Sequence, residues 1–124
     1  MLDLWASSGG PPSVSDTPEA VCLLLESDPG SLLVAESDGA VIGSLIAGWD
    51  GWRGSFYRLA VRPDHRRRGL GRRLVREGEK RLRERGAGRL DAIVAADEAV
   101  AAGFWEALGY ERQRDRVRFV QNLR

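Results

Sequence analysis

The sequence predicts an α/β protein in which a mixed β-sheet is covered by helices on both faces. Two observations lead to this prediction. One helical segment is followed by three runs of β-favouring residues, and residues 55–95 then have the order strand, turn, helix, strand. A hairpin joins antiparallel strands, whereas a strand–helix–strand crossover normally joins parallel ones, so the predicted sheet is mixed.

The first part of the chain is predicted to be a loop followed by a helix. Residues 1–15 are rich in Gly, Pro and Ser, which is the composition of a loop. Asp16 and Thr17 offer a capping oxygen, and Pro18 follows at a position that favours the first turn of a helix. The Asp28-Pro29-Gly30 segment is expected to end this helix.

Three strands are predicted next. Residues 31–36 and 40–47 are β-favouring runs on either side of Asp38-Gly39, a pair that is typical of a hairpin turn. Gly43 within the second run indicates a bulge or a close backbone approach. A further turn leads to the third strand, residues 55–61.

The second half is predicted to contain two helices and two strands. One helix begins near Leu70 and ends at Gly86, and a short strand follows at residues 90–95. Residues 98–108 are predicted to form a second amphipathic helix. The tail, residues 110–123, alternates apolar and polar side chains, which predicts a strand. The apolar stripe of the first of these helices consists of Leu70, Leu74, Val75, Gly78 and Leu82.

Length and composition limit the class of protein. The 124 residues are expected to form a single domain, residues 1–124, and 43% hydrophobic residues are typical of a soluble globular protein. No apolar run reaches the roughly 20 residues that span a bilayer, and the start lacks the pattern of a secretory signal, so we expect a cytoplasmic location. Cys22, which is expected to be buried, and His65 are the single residues of their types, so neither a disulfide nor a metal site is expected.

The turn between the third strand and the following helix is the candidate functional site. Gly69 and Gly71 allow a ligand to approach the main chain, and the first amides of a helix lack intrahelical partners. These amides and the helix dipole favour an anion, above all a phosphate or a pyrophosphate. Arginine side chains, whose guanidinium groups can donate two parallel hydrogen bonds to a phosphate, surround the turn. They are Arg62, Arg66, Arg67, Arg68, Arg72, Arg73 and Arg76.

Two glycines before a helix are also compatible with a plain turn, and a run of arginines is compatible with a solvated surface. The spacing does not match a P-loop, which needs a lysine followed by Ser or Thr. It does not match the dinucleotide fingerprint either, because the third glycine is missing.

A wider pattern is more specific. Residues 59–74, with Arg66-Arg67-Arg68-Gly69-Leu70-Gly71 at their centre, resemble the coenzyme A motif of the GNAT N-acetyltransferase superfamily. Residues 104–111 resemble the second motif of that family, an aromatic pair on a helix followed by Leu-Gly-Phe or Leu-Gly-Tyr. Residues 50–54 are similar to a bacterial subgroup, the small YpeA-like proteins related to ribosomal-protein acetyltransferases.

The resemblance implies a GNAT fold that binds acetyl-CoA and transfers its acetyl group to an amine. The pyrophosphate would lie on the turn, and the backbone of the central strand would pair with the pantetheine arm. The amide of Val61 would donate to the thioester oxygen as charge develops on it. The coenzyme-binding residues implied in this way are Leu59, Ala60, Val61, Arg66, Arg67, Arg68, Gly69, Leu70, Gly71, Arg72, Glu98, Phe104 and Trp105.

The chain departs from the family pattern where protons are expected to move. Trp105 replaces a tyrosine that often protonates the departing thiolate, and Tyr57-Arg58 stands where many relatives have a glutamate on the central strand. The hypothesis is therefore that Asp50 orients or deprotonates the amine and that Tyr57 protonates the sulfur. Alternatively, Asp50 is only a turn residue and Tyr57 only packs in the core.

The start of the chain also differs from the family. Met1 to Trp5 resembles the end of the family's first helix, so the first strand of the sheet is expected to be missing or shortened. An open sheet edge is a liability that a partner subunit can cover, which predicts a homodimer.

Three functions follow from these observations. The first is an N-acetyltransferase whose acceptor is a small amine, a lysine or a protein N-terminus. The second is an acyl-CoA-binding regulatory domain with little or no catalysis, for which Trp105 and the missing glutamate argue. The third is a nucleic-acid-binding module that uses the arginines. No aromatic platform lies among them and Gly69 and Gly71 would then have no purpose, so a nucleic acid is not expected as a partner. A membrane is not expected as a partner either, because no apolar run is long enough to span one.

Overall fold

The computed structural model describes residues 2–8, 14–66, 68–94 and 99–123, and the chain divides into two compact units, residues 1–92 and 93–124. The first unit contains α1 (Leu2–Ser8), α2 (Pro18–Ser27), β1 (Leu32–Ser37), β2 (Ala40–Trp49), β3 (Gly54–Val61), α3 (Leu70–Arg85) and β4 (Leu90–Ala92). The second unit contains α4 (Ala99–Ala107). That the 124 residues form a single domain stays a prediction.

The described residues form one sheet with the strand order β1-β2-β3-β4. The β1–β2 and β2–β3 pairs are antiparallel, and β3 and β4 are parallel. This order follows from the connections, because short turns join the first three strands and α3 crosses from β3 to β4. The mixed sheet confirms the predicted fold class.

Helices cover both faces of this sheet. On one face, α3 lies so close that a Cβ added to Gly78 would be 2.7 Å from Cε1 of Phe56. On the other face, Leu4 and Trp5 of α1 form a buried cluster with Ala60 of β3. The sheet therefore lies between α1 and α3, as the α/β prediction requires.

Local signals in the sequence place the elements as predicted. Thr17 caps α2, since its Oγ1 accepts a 3.1 Å hydrogen bond from the amide of Ala20. Asp38 and Gly39 have φ values of 52° and 79°, the left-handed conformation that a two-residue hairpin turn favours. The pairing of β1 and β2 shifts beside Gly43, and a Cβ added there would be 3.2 Å from Cδ1 of Leu74. Gly43 thus marks both a bulge and a close approach.

The loop composition of residues 1–15 does not account for α1, whereas the resemblance of Met1 to Trp5 to the end of a helix agrees with it. The side chains of Leu4 and Trp5 are only 5% and 3% exposed, so burial of these two residues against the sheet stabilises a helix that the local composition did not indicate. The glycine- and proline-rich residues 9–13 lie outside the described residues.

The prediction that Cys22 is buried is also wrong. Its neighbour Val21 packs against the cluster of α1 and β3, whereas Cys22 is exposed. Adjacent residues on a helix point in directions about 100° apart, so only one of the two faces the sheet.

The predicted strand over residues 110–123 is absent. Val117, Phe119 and Leu123 are 81%, 91% and 90% exposed, so the alternating apolar face is not buried. Alternation indicates a strand only where one face is covered and the backbone has a neighbour, and the described tail has no strand partner. The strand that was expected at residues 90–95 is shorter and ends at Ala92.

Two further features concern the surroundings of the sheet. Within the described residues no strand precedes β1, which lies at an edge of the sheet. In the same part of the chain, no helix combines the length and the apolar character that crossing a membrane requires.

Candidate functional site

A bulge lies in the middle of β3. Tyr57 pairs with Ile46 and Ala60 pairs with Ser44, so two residues of β3 stand opposite one residue of β2. One of the two is Arg58, whose φ of 54° is a left-handed conformation. This conformation costs a non-glycine residue roughly 1–2 kcal/mol, so neighbouring contacts must hold it in place.

The parallel pairing of β3 with β4 ends before the bulge. The pairing with β4 ends where Phe56 meets Ala92, whereas β3 continues to Val61. On its other side β3 remains attached to β2, and the amide of Arg62 donates a 2.8 Å hydrogen bond to the carbonyl of Ile42. Because successive backbone groups of a strand point in opposite directions, the amide and the carbonyl of Val61 point away from β2.

The turn from β3 into α3 presents backbone donors. Gly69 caps α3 with φ 74° and ψ 11° and has no side chain to bond the first amides. The first intrahelical bond is donated by Arg73 to the carbonyl of Gly69 over 3.0 Å, so the amides of Leu70, Gly71 and Arg72 precede it. A Cβ added to Gly69 would meet no atom within 4 Å, which indicates open space beside these amides. The arrangement suits an anion.

The strand and the turn are joined by a side chain. Nε of Arg66 donates a 3.0 Å hydrogen bond to the carbonyl of Val61. The predicted anion turn is thus fixed to the end of β3, and two of the predicted binding elements lie next to each other.

The other arginines of the cluster differ in their surroundings. Arg68 and Arg72 are exposed at the turn. Arg76 lies one helical turn further on and donates to Oε1 of Glu79 over 2.7 Å. Arg67 lies outside the described residues. Positive charge is therefore concentrated where α3 begins, next to the open amides.

Asp50 has a structural task in the turn between β2 and β3. Its Oδ1 accepts hydrogen bonds from the amides of Arg53 and Trp52, at 2.7 and 2.8 Å. These two bonds hold the pKa of the Asp50 carboxyl below its usual value of 3.8. A carboxylate with a lowered pKa is a weaker base, so the geometry favours the turn role over the base role.

Tyr57 lies on β3 directly before the bulge. Its ring is 49% exposed, so it does not belong to the core, and Cε2 would be 3.4 Å from a Cβ added to Gly48 of the neighbouring strand. Tyr57 is thus half-exposed beside the bulge, where a ligand can reach it.

The second unit contains the aromatic residues of the second motif. Trp105 is buried, and its ring makes edge-to-face contacts with Phe104 and Tyr110 at centroid distances of 5.5 and 5.0 Å. An indole is a hydrogen-bond donor only and cannot protonate a thiolate, so Trp105 acts in packing. Tyr110 belongs to the Leu-Gly-Tyr pattern of the second motif, and no role was predicted for it. Glu98 lies outside the described residues.

A partly buried polar cluster at the bulge was also missed. We call it the bulge network; it comprises Trp5, Asp16, Ser44 and Arg58. Nε of Arg58 donates to Oδ1 of Asp16 over 2.9 Å, and the guanidinium forms a second contact with Oδ2. Ser44 Oγ donates to the carbonyl of Arg58 over 2.9 Å. No sequence pattern links these residues, which come from separate parts of the chain.

Comparison with known sequences gives the family. The sequence model of the acetyltransferase (GNAT) family matches residues 1–110. Acetyltransferase YE1169 of Yersinia enterocolitica is 45% identical over 89 residues, which cover 72% of this chain and 63% of that protein. The match therefore spans less than two thirds of that relative.

Solved structures share the fold. The aminoglycoside antibiotic 6'-N-acetyltransferase AAC(6')-IG of Acinetobacter haemolyticus superposes with a TM-score of 0.73 at 23% identity, over 99% of this chain and 90% of that one. AAC(6')-Iy in complex with the bisubstrate analogue CoA-S-monomethyl-acetylneamine has a TM-score of 0.70 at 21% identity, over 97% of this chain and 84% of that one.

These matches agree with the mixed sheet and its flanking helices. The family model covers most of the sequence, including residues 59–74 and all but the last residue of the second motif. The chain belongs to the GNAT acetyltransferase family.

Proposed function

We propose that this chain is an N-acetyltransferase that transfers the acetyl group of acetyl-CoA to a primary amine by direct attack. The observation that carries the proposal is the junction of β3 and α3, where the open strand end at Val61 lies beside the helix amides that start at Leu70. Acetyl-CoA has a matching pair of groups, an amide-containing arm and a pyrophosphate.

The anion turn is suited to the pyrophosphate. The amides of Leu70, Gly71 and Arg72 have no intrahelical partner, and the helix dipole adds positive potential at the same place. Arg66, Arg68 and Arg72 supply charge around them, and Arg67 is expected to do the same. Open space at Gly69 supports a close approach of phosphate oxygens to the backbone.

The end of β3 is suited to the pantetheine arm and the thioester. The arm would add to the strand edge along Leu59, Ala60 and Val61, with the Ala60 side chain buried on the α1 face. The Val61 amide would donate to the thioester oxygen when charge develops there.

The reaction needs two proton movements. The amine nitrogen attacks the carbonyl carbon, the carbon–sulfur bond breaks, the amine loses a proton and the departing sulfur gains one. Tyr57, exposed on β3, is our candidate donor to the sulfur. The lowered pKa of Asp50 argues against Asp50 as the base, and a water chain is then the route for the amine proton.

A second candidate is a coenzyme-binding regulatory domain without efficient catalysis. The donor-only indole of Trp105 and the two amide bonds on the Asp50 carboxylate favour it, because both residues then serve structure rather than proton transfer. It predicts coenzyme binding without release of CoA in the presence of any amine.

The test is thermal unfolding with and without acetyl-CoA for the wild type, Gly71→Glu and Gly88→Glu. A ligand at about 100 times its Kd adds about 2.7 kcal/mol of stability. We expect this stabilisation in the wild type and its loss in Gly71→Glu, whose carboxylate would occupy the anion turn. Gly88→Glu is the matched control, because a Cβ at Gly88 meets no atom within 4 Å and lies after α3.

The outcomes separate the candidates. No stabilisation of the wild type would overturn the assignment of acetyl-CoA, and the arginines would then be tested against nucleic acid. Stabilisation together with CoA release in a panel of amines supports the enzyme. Stabilisation without release supports the regulatory domain.

We also propose a homodimer, because β1 lies at an edge of the described sheet and an uncovered edge favours pairing with another chain. Light scattering at high protein concentration tests this proposal, and a monomer would contradict it. The cytoplasmic location stays a prediction.

A further inference from the structure

The bulge in β3 is held by side chains from three other segments of the chain. Asp16, which lies just before α2, binds the Arg58 guanidinium through both carboxylate oxygens. Trp5 of α1 lies beside the same guanidinium, with Cζ of Arg58 5.6 Å from the ring centroid. Ser44 of β2 accepts from the Trp5 indole at 2.8 Å and donates to the Arg58 carbonyl at 2.9 Å.

These contacts fix both the side chain and the backbone carbonyl of Arg58, the residue with the left-handed backbone. The ion pair fixes the side chain of Arg58, and the Ser44 hydroxyl fixes its carbonyl. A left-handed backbone at a non-glycine residue persists only where the surroundings determine it. The bulge network therefore supplies the constraint that the φ of 54° requires.

The bulge decides how the end of β3 is oriented. Because Arg58 and Leu59 stand opposite one residue of β2, Ala60 returns to the same face of the sheet as Tyr57. Side chains and backbone groups of a strand alternate with a period of two, so loss of the extra residue would reverse their directions from Leu59 onward. The amide of Val61 would then no longer point away from β2.

We propose that Asp16 and Arg58 are positioning residues for acetyl-CoA, and that their ion pair holds the bulge so that the backbone of Leu59 to Val61 is set for the pantetheine arm and the thioester. The proposal rests on the proposed function. Neither side chain touches the ligand in this proposal; both act through the strand backbone.

The pyrophosphate turn does not depend on this network. It is formed by the cap at Gly69 and by the first turn of α3, which contain no residue of the network. A ligand that uses the turn alone therefore distinguishes a positioning role from a general loss of structure. Such a ligand is 3′-phospho-ADP, which is coenzyme A without its pantetheine arm.

The experiment compares the affinities of acetyl-CoA and 3′-phospho-ADP by calorimetry for the wild type, Asp16→Asn and Asp28→Asn. Asn keeps the shape of the carboxylate and removes its charge. Asp28 is the matched control, because it forms an ion pair with Arg81 in which the side chains are 19% and 15% exposed, against 17% and 13% for Asp16 and Arg58. The Asp28 pair links the end of α2 to α3 and does not include β3.

We expect Asp16→Asn to lower the affinity for acetyl-CoA at least about fivefold, because residues of one network couple more strongly than distant ones. The affinity of the same variant for 3′-phospho-ADP is expected to stay within about twofold of the wild type. Asp28→Asn is expected to leave both affinities within about twofold. An unchanged affinity of Asp16→Asn for acetyl-CoA, or an equal loss for both ligands, would overturn the inference.

A second variant covers the case in which Asp16→Asn does not fold. Arg58→Lys keeps the charge but loses the forked donor, so the same selective loss for acetyl-CoA is expected. An equal effect on both ligands would contradict the positioning role. If the wild type binds neither ligand, both the proposed function and this inference fail. If the wild type binds both ligands and the variants have the same affinities as the wild type, only this inference is overturned.

Discussion

The indole Nε1 of Trp5 donates a 2.8 Å hydrogen bond to the hydroxyl of Ser44, and both side chains are buried. The bond joins α1 to β2 at Ser44, which pairs with Ala60 directly after the bulge of β3. It also makes Ser44 a relay, since its hydroxyl in turn donates to the carbonyl of Arg58. One buried serine thus connects the first helix to the strand that we propose as the coenzyme edge.

Trp5→Phe is expected to destabilise the fold. The substitution leaves the buried Ser44 hydroxyl without its donor, which costs about 1–3 kcal/mol. Unfolding in urea measures the change. Trp52→Phe is the control, because Trp52 is 70% exposed, and its effect is expected within about 0.5 kcal/mol. Equal effects of the two variants would contradict a special role of the buried bond.

Two glycines on helices should respond to alanine in opposite directions. Gly78→Ala places a Cβ 2.7 Å from Cε1 of the buried Phe56 ring, and such overpacking costs about 1–3 kcal/mol. At Gly103 of α4 an added Cβ meets no atom within 4 Å, so Ala gains up to about 1 kcal/mol from its helix propensity. Chemical unfolding of both variants tests the pair, and a stabilised Gly78→Ala would contradict the close packing of α3.

Asp50→Asn is expected to lower stability near neutral pH. The pKa of Asp50 is lowered in the folded protein by the amides of Arg53 and Trp52, so its charged form stabilises the fold above the unfolded pKa of about 3.8. This advantage is lost as the pH falls through the folded pKa, which lies below 3.8. Unfolding free energies of wild type and variant should therefore converge in acid.

The same variant tests the base role. Because the Asp50 carboxyl titrates below 3.8, the rate–pH profile near neutrality is expected to be unchanged in Asp50→Asn. Loss of the limb on which the rate rises with pH would show that Asp50 does deprotonate the amine.

Two phenylalanines provide a test of the tail. Phe119→Ala should change the unfolding free energy by no more than about 0.5 kcal/mol, because the ring is 91% exposed. Phe56→Ala, at 3% exposure under α3, should cost about 3–5 kcal/mol. A large effect of Phe119→Ala in a dilute monomer would indicate that the tail packs after all.

Prediction from the sequence succeeded where neighbouring residues decide the structure. The Asp38-Gly39 turn and the Thr17 cap depend on backbone preferences within a few positions, and both are found. The apolar stripe of α3 was predicted because helical spacing places it on one face, and Leu74, Val75, Gly78 and Leu82 are buried. The glycine turn at Gly69 belongs to the same group.

Prediction failed where contacts between distant segments of the chain decide the local structure. The composition of residues 1–15 indicated a loop, yet Leu4 and Trp5 lie in a helix that is buried against Ala60. The tail alternates like a strand, yet Val117 and Phe119 stay exposed, since alternation does not supply a partner.

The sequence by itself determined the order of elements, the mixed sheet and the motif at the start of α3, because these follow from local backbone preferences and from the type of connection. Only the tertiary structure decided that Arg58 adopts a left-handed conformation against Asp16 and that Ser44 binds its carbonyl. A strained backbone is stable only when side chains from other elements surround it, and that condition exists once the chain has folded.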